Sequence, residues 1–146
     1  LEPMFFERHP DRFEAVQANV ESSPLAFRWE DSVQRLDAQT DSPAHGGAER
    51  EIELGSPAMK TIAIHVQRMS AGFHSRVHQS TANAVLTVLE GSGISRIGGQ
   101  EFRWAKGDVL AVPCWQTCEH HAQEDTHFVR VSDEPVMRAF DFLRHR

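Results

Sequence analysis

Positive charge is in short supply in this sequence. Its 146 residues carry 15 Lys and Arg against 21 Asp and Glu, a formal net charge of -6, and the basic residues are scattered. That balance argues against nucleic acid and against an anionic membrane surface as partners, because both are held by clustered cations. Long apolar runs are missing as well. No window approaches the roughly 18 apolar residues of a membrane span, and no apolar signal segment leads the chain. Cysteine is scarce: Cys114 and Cys118 stand alone, four residues apart just after Pro113. Their spacing suits a metal or a reactive thiol, and its blander reading is a pair of free thiols in a reducing compartment, so a cytoplasmic location is expected. Repeats, low-complexity tracts, a phosphate-cradling loop, a Ser-His-Asp order and a carboxylate pair placed for acid-base work are all absent. What remains is a single domain's length of chain, 40% hydrophobic, which suffices for a core. The chain opens "LEPMFF" rather than with Met, and is read as a piece of something longer.

The first third has helical periodicity broken by turns. In "HPDRFEAVQANVES" residues Phe13, Val16 and Val20 share a face, with Pro10 and Asp11 as the helix start. In "SPLAFRWEDSVQRLD" residues Trp29, Val33 and Leu36 form a second apolar stripe. The polar run "AQTDSPAHGGAEREIELGSP" reads as a loop. From Met59 the period becomes strand-like. "MKTIAIHVQRM" alternates Ile62, Ile64 and Val66 against Ala63, His65 and Gln67. "ANAVLTVLEG" is apolar on both faces, "GISRIGGQEFRW" is two strands about Gly98-Gly99, and "GDVLAVP" and "THFVRVS" supply more. Short strands with turn signals at regular spacing predict an all-β sandwich or small barrel. Val136, Phe140 and Leu143 form a stripe in "DEPVMRAFDFLRHR", which predicts a terminal helix. The expected organisation is a helical and loop lead-in over 1–58, a barrel over 59–133 and a C-terminal helix over 134–146.

Two stretches carry a further pattern. In "GFHSRVHQSTANAVLTVLEGSG" a Gly is followed six residues later by His78, and an acidic-Gly turn closes the stretch. In "GDVLAVPCWQTCEHH" a Gly, five residues and Pro113 lead to Cys118, five positions after the Pro. These resemble the two cupin motifs. Together with "MKTIAIHVQRMSAGFHSRVHQST", "VLEGSG", "VPCWQ" and "RVSDEPVMRAF", they resemble the carboxy-terminal half of gentisate 1,2-dioxygenases and of their salicylate and 1-hydroxy-2-naphthoate relatives, which are two-cupin proteins. The resemblance implies a cupin fold, a jelly-roll barrel with helices at both ends. It implies ferrous iron as cofactor, a hydroxylated aromatic acid and dioxygen as partners, and ring cleavage as the reaction. It also implies a homo-oligomer, or a barrel packed against a second cupin.

Strand parity decides which side chains enter the barrel. The inward set is read as His78, Ser80, Cys118 and His120, with His74 close by in the preceding turn. Ser80 and Ala84 stand where the resemblance places a His and an acid. Serine is a poor neutral ligand for iron, and alanine is none. If a metal is held, His78 and His120 are its expected ligands with Cys118 third, and sulfur suits zinc or copper better than oxygen-activating iron. Otherwise His78 and His120 are buried polar residues satisfied by Ser80 or backbone, with no metal. Arg76 is placed at the barrel mouth as the candidate for a substrate carboxylate, while Arg96 and Arg103 read as surface charges. His120 and His121 fall on opposite faces. His127 reads as a solvated or packed side chain, Trp104 and Trp115 as core or interface. Three readings stay open at this level: a ring-cleaving dioxygenase domain, a ligand-depleted cupin that builds an assembly, and a binder of small aromatic acids.

Overall fold

The computed structural model describes residues 26–39, 47–54 and 60–146. The helix expected around Phe13, Val16 and Val20 lies outside them. Ten elements follow in order: helix α1 (Trp29–Asp37), strands β1 (Arg50–Leu54), β2 (Ala63–Met69), β3 (Ala84–Glu90), β4 (Ser92–Ile97), β5 (Gln100–Ala105), β6 (Val109–Val112), β7 (Cys118–Ala122) and β8 (Thr126–Ser132), then helix α2 (Glu134–Ala139). A five-stranded sheet, in the order β1-β2-β8-β3-β6, faces a three-stranded sheet in the order β5-β4-β7. Within each sheet the strand pairs are antiparallel.

The two faces of β2 explain how the layers are built. Ile64 and Val66 point out of the barrel and pack under α1 with Leu36, Ile52, Leu54 and Trp29, so the stripe of the second helical segment is buried as its periodicity requires. Ala63, His65, Gln67 and Met69 point the other way and are all buried. The main core lies between the sheets, where Met69, Leu86, Val88, Trp104, Leu110 and Phe128 meet. β4 and β5 are joined through Gly98 and Gly99, whose φ values of 57° and 82° are those a two-residue hairpin turn demands.

Two expectations are corrected. The polar run read as a loop contains β1. Its "REIEL" alternates Ile52 and Leu54, both buried against α1, with Glu51 and Glu53, and this period of two outweighs the polarity around it. The terminal helix also stops at Ala139, short of the stripe that suggested it. Asp141 takes a φ of 56°, and the chain turns back to pair with residues 79–81 through Gln79–Arg146 and Thr81–Arg144 backbone bonds. Phe140 therefore leaves the predicted stripe and stacks on Phe142, with ring centroids 6.3 Å apart, both exposed.

Gly93 on β4 faces inward where the layers touch. A Cβ there would fall 2.3 Å from the His121 carbonyl oxygen and 2.5 Å from the Trp104 ring. Gly93→Ala is expected to cost about 2 kcal/mol or more by overpacking, read as a lower urea midpoint at unchanged slope.

Candidate functional site

Residues 72–78 run along β7 as an irregular edge. Ser75 pairs with His120 and His78 with Cys118, so three steps on one side oppose two on the other. That extra residue reverses the parity between His74 and His78. His78 consequently points into the barrel, while His74 lies outside it, stacked on His121 at 5.0 Å between ring centroids. His74, expected close by in the preceding turn, therefore stays outside the inward set. The opposite facing of His120 and His121 holds: His120 is buried and His121 is exposed.

Inside the barrel, His78, Cys118 and His120 present ligating atoms within 4.8 Å of one another. The His78 and His120 rings lie 5.9 Å apart, and the Cys118 Sγ lies 3.4 Å from His120 Nε2. His120 is held from behind. Its Nδ1 is 2.6 Å from Ser95 Oγ, the hydroxyl oxygen accepts a 2.8 Å hydrogen bond from Trp104 Nε1, and Ser75 Oγ accepts the His120 backbone N–H at 2.8 Å. His78 is less confined, and its Nδ1 donates to the Arg76 carbonyl oxygen at 3.3 Å. Ser95 was not singled out by sequence. Its register opposite His120 across β4 and β7 is the signal that finds it.

The charged group of this cavity is Arg130, which sequence reasoning also missed. It sits on β8 between Phe128 and Ser132 on the inward face, 4% exposed, and lines a cavity of about 20 Å³ together with His78, Ser80, Ala84, Cys118 and His120. Its Nη2 donates to Glu134 Oε1 at the start of α2, and its Nη1 is buried without a hydrogen-bond partner among the described residues. Arg76, the arginine expected here, is exposed and lends the site only its backbone carbonyl. Arg96 and Arg103 lie on the surface among Glu101 and Glu119. Trp104 is core, Trp115 is exposed at a φ of 60°, and His127 packs edge-on against Trp29 beside Glu90.

Burial sets the protonation of the site. It pushes His120 down to about 3, helped by His78 and Arg130, and also lowers His78. It pushes the Cys118 thiol up to about 12, only partly opposed by Arg130. Burial alone would raise Glu134, but the charge and hydrogen bond of Arg130 hold it below the usual carboxylate range. At neutral pH the cavity therefore holds two neutral imidazoles, a thiol and a guanidinium whose close counter-charge among the described residues is Glu134.

No family model matches the chain. Among curated proteins it is 30% identical over 148 residues to a gentisate 1,2-dioxygenase of Streptomyces sp, covering 93% of this chain and 41% of that protein. It is 32% identical to gentisate 1,2 dioxygenase 1 of Aquipseudomonas alcaligenes, covering 84% of this chain and 38% of that protein. The crystal structure of a salicylate 1,2-dioxygenase from Pseudaminobacter salicylatoxidans superimposes with a TM-score of 0.75 at 27% identity, over 90% of this chain and 41% of that one. The chain is a cupin that resembles the gentisate-type ring-cleaving dioxygenases. It spans about two fifths of the length of these relatives.

An oxygen-activating ferrous centre uses two imidazoles and a carboxylate on one side and leaves adjacent positions open for substrate and dioxygen. The interior of this cupin does not fit that requirement. Among the described residues no carboxylate stands with His78 and His120, and Ser80 and Ala84 line the same cavity. The third donor is a buried thiol, a guanidinium shares the cavity, and about 20 Å³ admits a water-sized group but no aromatic ring.

The depressed imidazoles predict a pH dependence. A buried His binds its proton more weakly folded than unfolded, so its contribution is complete above about 6.5 and is lost as pH falls toward the folded value of about 3. Urea midpoints are expected to fall across that window, by about 1.4 kcal/mol per pH unit for each fully depressed His. His120→Gln should decline less steeply. An unchanged slope in that variant would show that His120 does not titrate as the burial requires.

Proposed function

We propose that the chain is a cupin domain of a gentisate-type ring-cleaving dioxygenase and that the oxygen chemistry of that protein takes place outside this barrel. The observation that carries the reading is the composition of the cavity wall: a guanidinium and a thiol in a space of about 20 Å³, where the facial-triad ferrous centre has an acid and open positions. Similarity to gentisate- and aminosalicylate-cleaving enzymes over most of the chain supports the family reaction, which inserts both oxygen atoms of dioxygen into a hydroxylated aromatic acid. The iron of that reaction belongs, on this reading, to the part of the protein that the relatives have beyond this segment, and the present barrel corresponds to the carboxy-terminal cupin.

The domain then serves as architecture. The outer face of the five-stranded sheet exposes Ile62, Val85 and Val109, with Val131 beside Val85. Such an apolar strip on a sheet suits burial against a second barrel, whether of the same chain or of another copy. A free-standing receptor for aromatic acids is disfavoured by the size of the interior.

The test is metal content and turnover of the purified 146-residue chain after incubation with ferrous iron. Substoichiometric iron and no oxygen uptake on gentisate are expected. Stoichiometric iron, with oxygen uptake that disappears in His78→Ala, would overturn the proposal and place catalysis in this barrel.

A further inference from the structure

We propose that the interior of this barrel is a binding site for a compact monoanion, the carboxylate of a small organic acid or a halide, held on the free edge of Arg130. The inference goes beyond the architectural reading and does not depend on it.

The guanidinium has two edges with different fates. Nη2 is spent on Glu134, and the pair is almost wholly buried, with both side chains 5% exposed. Nη1 is equally buried and donates to nothing among the described residues. A charged donor removed from water is ordinarily supplied with an acceptor, because an unmet charge-assisted hydrogen bond is among the costlier defects a core can carry. The protein supplies none, although Ser80 and Gln116 line the same space as Arg130. What the fold leaves instead is a cavity.

The properties of that cavity select the guest. Its cation disfavours a second cation, and no carboxylate accompanies the His78, Cys118 and His120 donors. Ala82, Ala84, Leu86 and Val112 add apolar lining, with Leu86 directly beside Arg130 across β3 and β8, so a small anion is packed against apolar side chains next to the guanidinium that meets its charge. A volume of about 20 Å³ suits a carboxylate head or a single halide ion and excludes a benzoate ring. The site is also screened from the bulk: the chain end pairs along residues 79–81 and leaves His78, only partly buried, on the approach.

The experiment is saturation-transfer NMR on the 146-residue chain with sodium formate as the probe and sodium chloride as competitor at constant ionic strength. Formate is expected to give a saturable signal. Reciprocal competition with chloride would mark a site for either anion, whereas formate bound without competition would mark a carboxylate site. Arg130→Gln should weaken binding at least about tenfold, the loss of one charge-assisted contact. Because that variant also strips Glu134 of its partner, Ala84→Val provides a second test. It fills the cavity from the β3 side while leaving the Arg130–Glu134 pair intact, and it too should abolish the signal while the chain stays folded by circular dichroism. No saturable signal in the unsubstituted chain, or a signal that survives Ala84→Val, overturns the proposal. So does stoichiometric binding of zinc alone that is lost in Cys118→Ser, since the cavity would then be a cation site.

Discussion

A guanidinium buried inside a β-barrel constrains everything around it. Arg130 is held in the wall by Glu134, and a charge in such surroundings persists only when paired and hydrogen-bonded. The pairing fixes the start of α2, because Glu134 is its first residue, and so fixes where the chain leaves β8. It also gives the barrel interior a positive edge. Burial keeps the neighbouring groups uncharged: it lowers both imidazoles, with Arg130 adding to the effect, and raises the Cys118 thiol against the opposing pull of Arg130.

The hydrogen bonds behind His120 show that the site is built rather than eroded. Ser95 meets the His120 imidazole and is itself held by Trp104, while Ser75 accepts the His120 backbone N–H, and the ring is fully buried beside Phe128 at 5.8 Å between centroids. A His retained only as a relic would not need such support. In the present fold it has a structural task, joining β7 to β4 and to the edge segment across the narrowest part of the core. A barrel interior with this set of side chains accords with the proposal that another segment of the protein carries the oxygen chemistry.

Much of this was legible in the strand parity. Alternation placed His78, Cys118 and His120 on one inward face and separated His120 from His121, and the Gly98-Gly99 pair marked its hairpin. Three features were not legible, each for a physical reason. Arg130 lies in "THFVRVS", where a charged residue in a strand reads as solvated, and only the Glu134 four residues later on α2 makes its burial tolerable. The outward facing of His74 was not announced because an irregularity between Ser75 and His78 changes parity, and local sequence does not mark such an insertion. β1 was hidden because its alternating acids dominate a polar run, although Ile52 and Leu54 were already spaced for a strand. The terminal stripe of Val136, Phe140 and Leu143 failed because backbone pairing of the chain end with residues 79–81 competed successfully with helix continuation.

On the reading proposed above, this interior, with a guanidinium on its wall and no carboxylate beside His78 and His120 among the described residues, does not hold a divalent metal. Titration with cobalt(II), followed by absorption in the near ultraviolet and visible, tests it most directly, since a thiolate ligand announces itself by a sulfur-to-cobalt charge-transfer band and four-coordinate cobalt by its intense visible bands. The account predicts neither feature at one equivalent of cobalt at neutral pH. A charge-transfer band that grows to one equivalent and vanishes in Cys118→Ser would contradict it.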